Sequence, residues 1–442
     1  MIELSQQTTY RPVTRASLDT LPQAQQLPPS LREEMEVVSA VFPFRTNAYV
    51  VQHLIDWDKV PNDPIYQLTF PQRGMLSEGD FDTIATLIRR GAPSAELRAA
   101  ADAIRLRHNP HPAGQLTHNI PKLDGKPLPG LQHKYPETVL FFPSRGQTCH
   151  AYCSYCFRWA QFVGLQNLKF AAKEANDLAR YLHAHPEVTD VLFTGGDPMI
   201  MKTRALRDYI EPLLTSDLTQ LQTIRIGTKA LAYWPQRFVT DDDAGDLLRL
   251  FEQIIRSGRH VAIMAHYSHP RELATPVAQR AVSRLRAAGC EIRMQAPIIR
   301  HVNDSPQAWA SLWRHGVKLG MIPYYLFISR DTGPKNYFEV PLAESYAIFR
   351  KAYSQVSGLG RTVRGPVMSA TPGKVLINGV TQVGGQRVFV LSFLQGRDPA
   401  WVKRPFFAHY DPAATWLFDL KPAFDAPEQF FDPEATYAAV WR

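Results

Sequence analysis

Cysteine is scarce in this chain, with four in 442 residues. That is too few for a disulfide scaffold, and three of the four crowd into one short segment instead of spreading out as half-cystines would. A reducing, cytoplasmic setting with no signal peptide is the expectation. Long apolar runs are missing too: none approaches the roughly 18 residues that a membrane span requires. Nor is there a block of charge of one sign. The 49 basic and 41 acidic residues are intermingled, so the net charge of +8 reads as a solvated surface, with nucleic acid a disfavoured partner. The most basic stretch, from Leu87-Ile-Arg-Arg90 to Arg105-Leu-Arg107, has the spacing of an amphipathic helix. Repeats and low-complexity tracts are lacking, and the 35 prolines gather in connectors and terminal regions. With 45% apolar residues, the chain can bury a large core.

What is present begins with Cys149, Cys153 and Cys156, a CxxxCxxC run just after the strand-like Thr138-Val-Leu-Phe-Phe-Pro143. Ordinary ferredoxin-type clusters take four cysteines, and structural zinc takes four closed ligands. Three crowded thiolates suit three corners of a cubane iron-sulfur cluster, which leaves the fourth iron open for chemistry. A zinc site completed by His150 or a distant histidine is the competing reading of the same run. The remaining cysteine, Cys290, sits at the start of a strand and reads as core filler.

From about residue 138, β-rich runs at 138–143, 190–195, 223–228, 260–266, 291–299 and 322–328 alternate with helical patterns at 171–183, 203–214, 241–257, 275–288 and 306–319. Such alternation predicts parallel strands joined by crossovers. Six units fall short of a closed eight-unit barrel. The expected fold is therefore α/β, a partial (β/α)6 barrel over 116–365, with a helical, proline-rich region at 1–115 and a C-terminal extension at 366–442. In such folds active groups collect at the carboxyl ends of strands. The polar clusters obey this rule. The cysteines follow the first run, Gly195-Gly196-Asp197-Pro198 the second, Lys229 the third, and His266 with His269 the fourth. Gln295 and Arg300 lie on or after the fifth, and Arg330-Asp331 after the sixth.

These residues resemble the radical S-adenosylmethionine (SAM) superfamily, and within it the lysine 2,3-aminomutase family. The narrower motifs are Asn62-Asp-Pro64, Gly130-Leu-Gln-His-Lys-Tyr-Pro136, Asp190-Val-Leu-Phe-Thr-Gly-Gly-Asp-Pro198, Ile224-Arg-Ile-Gly-Thr228, Pro235-Gln-Arg237, His266-Tyr-Ser-His-Pro270, Val302-Asn-Asp304 and Pro323-Tyr-Tyr325, in the family's order. The resemblance implies a [4Fe-4S] cluster on the three cysteines and SAM on the open iron, cleaved to a 5′-deoxyadenosyl radical that abstracts a substrate hydrogen. It places Tyr155 near the adenine, Gly195, Gly196 and Asp197 at the SAM amino group, and His266 and Gln295 around the ribose and methionine portion. It also implies a small amino-acid substrate, an electron donor such as a flavodoxin or ferredoxin, and room for a homo-oligomer.

The family further uses pyridoxal 5′-phosphate (PLP), held as an imine on a lysine. Lys374, in Pro366-Val-Met-Ser-Ala-Thr-Pro-Gly-Lys374, corresponds to that lysine. Near the cofactor phosphate the family's two arginines appear as Lys134 and Thr138. Arg158 matches the arginine that meets the substrate carboxylate. Where lysine-specific members carry carboxylates for the far ammonium, this chain has Ser369, Ala370 and Arg330, with Asp331 beside it. Such a site repels a cationic side chain and favours an anionic or neutral one. The resemblance thus implies an amino-group migration on an amino acid other than lysine. Two other readings stay open on the residues alone. One is a PLP-independent radical SAM epimerase, dehydrogenase or related hydrogen-abstracting enzyme, and the other a cluster-bearing or zinc-bearing RNA-associated protein.

Overall fold

Burial alternates along the central strands. In Thr223–Thr228, Ile224, Ile226 and Thr228 are buried while Arg225 and Gly227 take the opposite face, and Glu291–Ile298 repeats the pattern with Ile292, Met294, Ala296 and Ile298. This period of two gives these strands an apolar face for helices and a second face for polar side chains. In the computed structural model, which describes residues 9–108, 119–163, 170–172, 175–424 and 426–431, eleven such strands form one sheet. Numbered along it, they are β1 (Leu131–Tyr135), β2 (Thr138–Phe141), β3 (Asp190–Phe193), β4 (Thr223–Thr228), β5 (His260–His266), β6 (Glu291–Ile298), β7 (Ile322–Ile328), β8 (Arg364–Ser369), β9 (Gly373–Val383), β10 (Gln386–Gly396) and β11 (Pro405–His409). Every strand pairs with its neighbours in sequence, parallel from β2 to β8 and antiparallel at both edges.

Helices Ala175–Ala184, Thr203–Thr215, Ala244–Arg256, Pro276–Ala287, Pro306–Lys318 and Leu342–Tyr353 connect the parallel strands. Each buries an apolar stripe, as Leu247, Leu250, Phe251 and Ile254 do on Ala244–Arg256. The mixed α/β architecture is the expected one. Two details differ from the sequence reading. A seventh parallel strand, β8, was hidden by the Gly365-Pro366 pair, which argues against a strand interior. The boundary expected at 365/366 falls inside it, so the sheet runs on into the C-terminal region. The basic stretch is also not one helix. Glu78–Arg89 ends at Gly91, which has φ +65°, and Ser94–Arg107 starts afresh after Pro93. Of the expected helix at 171–183, residues 173–174 lie outside the described residues.

The sheet curls back on itself. Strands β1 and β9 stand eight places apart in the strand order, which in a flat sheet is roughly 38 Å at about 4.8 Å per strand. Yet Lys374 Nζ on β9 lies 5.3 Å from the Tyr135 ring on β1 and 5.3 Å from the Tyr325 ring on β7. Lys134 Nζ on β1 donates to the Ala370 carbonyl just after β8. The polar faces of the strands therefore look into a common interior. Among the described residues no helix is long and apolar enough to cross a membrane.

Candidate active site

The cysteine loop follows β2, and the segment after β3 clamps it. Asp197 N–H donates to the carbonyls of Gly146 at 3.0 Å and Thr148 at 2.7 Å. A Cβ at Gly196 would stand 2.5 Å from the Thr148 carbonyl oxygen, so only glycine permits the approach. The Asp197 carboxylate accepts from Met199 N–H at 2.9 Å, the Thr228 hydroxyl at 2.7 and 2.9 Å, and Lys229 N–H at 2.8 Å. Burial pushes its pKa up to about 6 against the pull of those donors. The sequence reading offered this carboxylate to an ammonium. Three donors from the protein itself thus hold the carboxylate, while the Gly195-Gly196 backbone packs against Gln147 and Thr148.

Burial raises the pKa of all three thiols, that of Cys156 to about 12, and the charge of Cys153 adds to the rise at both Cys149 and Cys156. Thiolates here need a strong cationic partner. The Tyr233 hydroxyl lies 3.3 Å from Cys153 Sγ. An all-thiol donor set suits a cubane iron-sulfur cluster, whose irons take thiolate ligands.

Beneath the loop lies a buried polar network. The Tyr155 hydroxyl is 3.0 Å from His266 Nε2 and 3.2 Å from Ser268 Oγ. Lys229 Nζ donates to Glu272 at 2.8 Å and to Ser268 Oγ at 3.2 Å. Glu272, fully buried, also accepts from the backbone N–H of Ser268 at 2.6 Å and His269 at 3.1 Å. That pairing satisfies both charges. Burial, then the Lys229 charge, pushes the His266 pKa well below its usual range, which leaves a neutral imidazole. Gln295 on β6 is the register partner of His266 on β5. Tyr155, His266 and Gln295 thus meet at one place. His269 and Arg300 do not join them: His269 caps a short turn by accepting from Arg271 N–H, and Arg300 forks onto Glu344 at 2.6 and 2.7 Å.

A second set of groups surrounds Lys374. Its Nζ donates to Gln395 Oε1 at 2.6 Å. Burial, then the charges of Arg225 and Arg364, lowers its pKa to about 7. Burial and the charges of Arg397, Arg330 and Lys374 push Lys134 well below its ordinary value. Arg330 has its Nε 3.9 Å from Asp331 Oδ1, and its guanidinium sits 5.5 Å from the Phe157 ring. Arg158 lies over the Phe142 ring at 4.0 Å, its pKa lowered to about 9 by burial. The interior is strongly cationic.

No family model matches the chain. Individual proteins do. A protein of Aquifex aeolicus, provisionally named L-lysine 2,3-aminomutase, is 30% identical over 396 residues, covering 89% of this chain and 92% of its own length. The chain belongs to the lysine 2,3-aminomutase family of radical SAM enzymes. L-lysine 2,3-aminomutase of Bacillus subtilis is 29% identical over 53% of this chain and 47% of its own, and that of Clostridium subterminale is 26% identical over 62% of each. A radical SAM methyltransferase from Sphaerobacter thermophilus superposes with a TM-score of 0.35 at 17% identity, over 54% of this chain and 68% of that one, which is too slight a likeness to bear on the fold.

For this lysine 2,3-aminomutase family member, several residues of these two clusters were not singled out in the sequence. Ser268 and Glu272, which hold Lys229 and Tyr155, sit within or just past the His266-Tyr-Ser-His-Pro270 motif and carried no signal of their own. Arg225 lies in a quoted motif, yet only the curl of the sheet brings it to Lys374. Arg397 had no sequence signal at all.

Proposed function

We propose that this enzyme moves an amino group between adjacent carbons of an amino acid other than lysine, in the interior of a partial (β/α) barrel. The observation that carries the reading is a set of neighbouring basic side chains, Lys134 within the fields of Arg397, Arg330 and Lys374 and Arg158 within that of Arg330, together with a Lys374 amine that burial, Arg225 and Arg364 leave half neutral at about pH 7. When bound, the [4Fe-4S] cluster with SAM supplies a hydrogen-abstracting 5′-deoxyadenosyl radical, and PLP supplies an aldehyde that takes amino groups. Cys149, Cys153 and Cys156 are the cluster ligands. The Gly195-Gly196 backbone, anchored by Asp197, faces the SAM amino group. Tyr155 borders the adenine, and His266 with Gln295 borders the ribose and methionine.

Lys374 is the PLP lysine. An amine must shed its proton to attack an aldehyde, and burial among cations achieves this. Lys134 supplies positive charge toward the phosphate. Arg158 forks onto the substrate carboxylate, and Arg330, braced by Asp331, faces the far end of the substrate. An ammonium about 4 Å from Arg330 would be repelled by about 4 kcal/mol at an effective dielectric near 20, roughly a thousandfold in binding. A carboxylate there gains a comparable attraction. An external electron donor such as a flavodoxin or ferredoxin completes the system.

The test is anaerobic incubation of reconstituted, dithionite-reduced enzyme with SAM, PLP and a panel of amino acids. Release of 5′-deoxyadenosine with β-amino product from acidic or neutral substrates supports the reading. L-lysine turning over faster than any of them overturns it.

A further inference from the structure

In this chain Thr138 stands where the family has the second of two arginines near the cofactor phosphate. The Thr138 hydroxyl is spent on Asp190 Oδ2 at 2.9 Å. A different cation, arriving from the other end of the sheet, lies in the same interior. Arg397 follows β10 directly and is fully buried. Its Nε donates to the Thr371 carbonyl at 2.9 Å and its Nη2 to Asn119 Oδ1 at 2.5 Å. Its Nη1 is buried with no hydrogen-bond partner among the described residues. No carboxylate pairs with it among them either. A guanidinium sealed from water with no anion among the described residues is expensive.

Position makes the vacancy informative. Lys134 Nζ holds the Ala370 carbonyl and Arg397 Nε holds the next one, Thr371, so two basic side chains grip the turn that leads into Lys374. Arg397 N–H also donates to the Pro372 carbonyl at 2.9 Å, fixing the side chain's origin on that turn. The Tyr135 hydroxyl is a second, independent orphan. It is buried without a partner among the described residues, within the fields of Arg397 and Arg330, and its ring faces Lys374. Two donors unpartnered among the described residues, and Lys134, thus gather around the turn that leads into Lys374. That set fits a phosphate dianion, which accepts several charge-assisted hydrogen bonds at once.

We propose that Arg397, with the Tyr135 hydroxyl and Lys134, clamps the phosphate of PLP, replacing the family arginine lost at Thr138. The proposal rests on PLP binding at Lys374. Arg397 acts in cofactor binding and has no part in hydrogen abstraction.

The experiment measures the affinity of the full-length, cluster-loaded protein for PLP and for pyridoxal, which lacks the phosphate, by the absorbance of the lysine adduct near ~420 nm and by equilibrium dialysis. Wild type should prefer PLP strongly. Arg397→Gln should lose about 10- to 100-fold in PLP affinity, the range of a charged hydrogen bond, with pyridoxal affinity unchanged. Arg397→Lys should fall between the two. Millimolar inorganic phosphate should weaken PLP binding to wild type more than to Arg397→Gln. Should Arg397→Gln fail to fold, the Lys variant and phosphate competition on wild type carry the same test. Equal PLP affinity in wild type and both variants overturns the clamp while leaving the PLP reading intact. Wild type that binds neither PLP nor pyridoxal overturns both.

Discussion

Replacing Lys374 with methionine should make the apo protein more stable at low pH. Lysine's ordinary pKa of 10.5 falls to about 7 in the fold. The folded state therefore resists protonation that the unfolded chain accepts. The sign follows: between about pH 7 and 10 the unfolded state binds more protons, so stability rises with pH, and the full penalty is present below about pH 7. About 3.5 units at 1.36 kcal/mol each gives a ceiling of about 5 kcal/mol. Losing the hydrogen bond to Gln395 returns about 1–2 kcal/mol, leaving a gain of about 3 kcal/mol at ~pH 6 that shrinks to about 1 kcal/mol at ~pH 9. With an unfolding entropy of about 2.1 cal/mol/K per residue, each kcal/mol moves the melting temperature of a chain this long by about 1 °C. Thermal melts of Lys374→Met and wild type should thus differ by about 3 °C at ~pH 6 and about 1 °C at ~pH 9. Competitive acetylation of wild type, read by mass spectrometry on the Lys374 peptide, should show a reactivity midpoint near 7. A variant that melts below wild type at acid pH, or by the same offset at both, would refute the account of a depressed amine.

Three further outcomes are expected. Gly196→Ala forces a methyl against the Thr148 backbone, so it should cost about 2 kcal/mol or more and lower the iron bound per chain after reconstitution. Lys229→Met leaves Glu272 buried without its cation and should destabilise by about 3–5 kcal/mol, measured by denaturant midpoint; Lys229→Met with Glu272→Met should recover much of that. Arg330→Asp reverses the charge at the far end of the proposed substrate site, so turnover of cationic amino acids should rise relative to acidic ones by about 100-fold or more. An unchanged preference would remove Arg330 from substrate selection.

The strands at 223–228, 260–266 and 322–328 were legible to the residue because each is an apolar or alternating run bounded by turn residues, and burial of one face enforces the pattern. β8 was not, because its Gly-Pro pair imitates a loop while neighbours on both sides supply the pairing that secures it. At Asp197 the motif lies in the loop that clamps the cysteine segment. Which way its carboxylate turns depends on Met199 in the same loop and on Thr228 and Lys229 after β4, and local spacing does not encode the second pair. Arg397 is the extreme case. It is one arginine in a Gln-Gly-Arg-Asp turn, and its meaning comes from a sheet that must curl before Lys134 and Arg397 can grip neighbouring carbonyls.

That same seam between the first strand and the far hairpin has a consequence for biosynthesis. By the time residue 156 has been made, every thiol for the metal exists, yet the lysine chamber needs a wall that is translated more than two hundred residues later. Such a distant closure is slow to find and is lost to any truncation ahead of β10. A nascent or clipped chain would then carry all three cysteines and lack the wall of the lysine chamber.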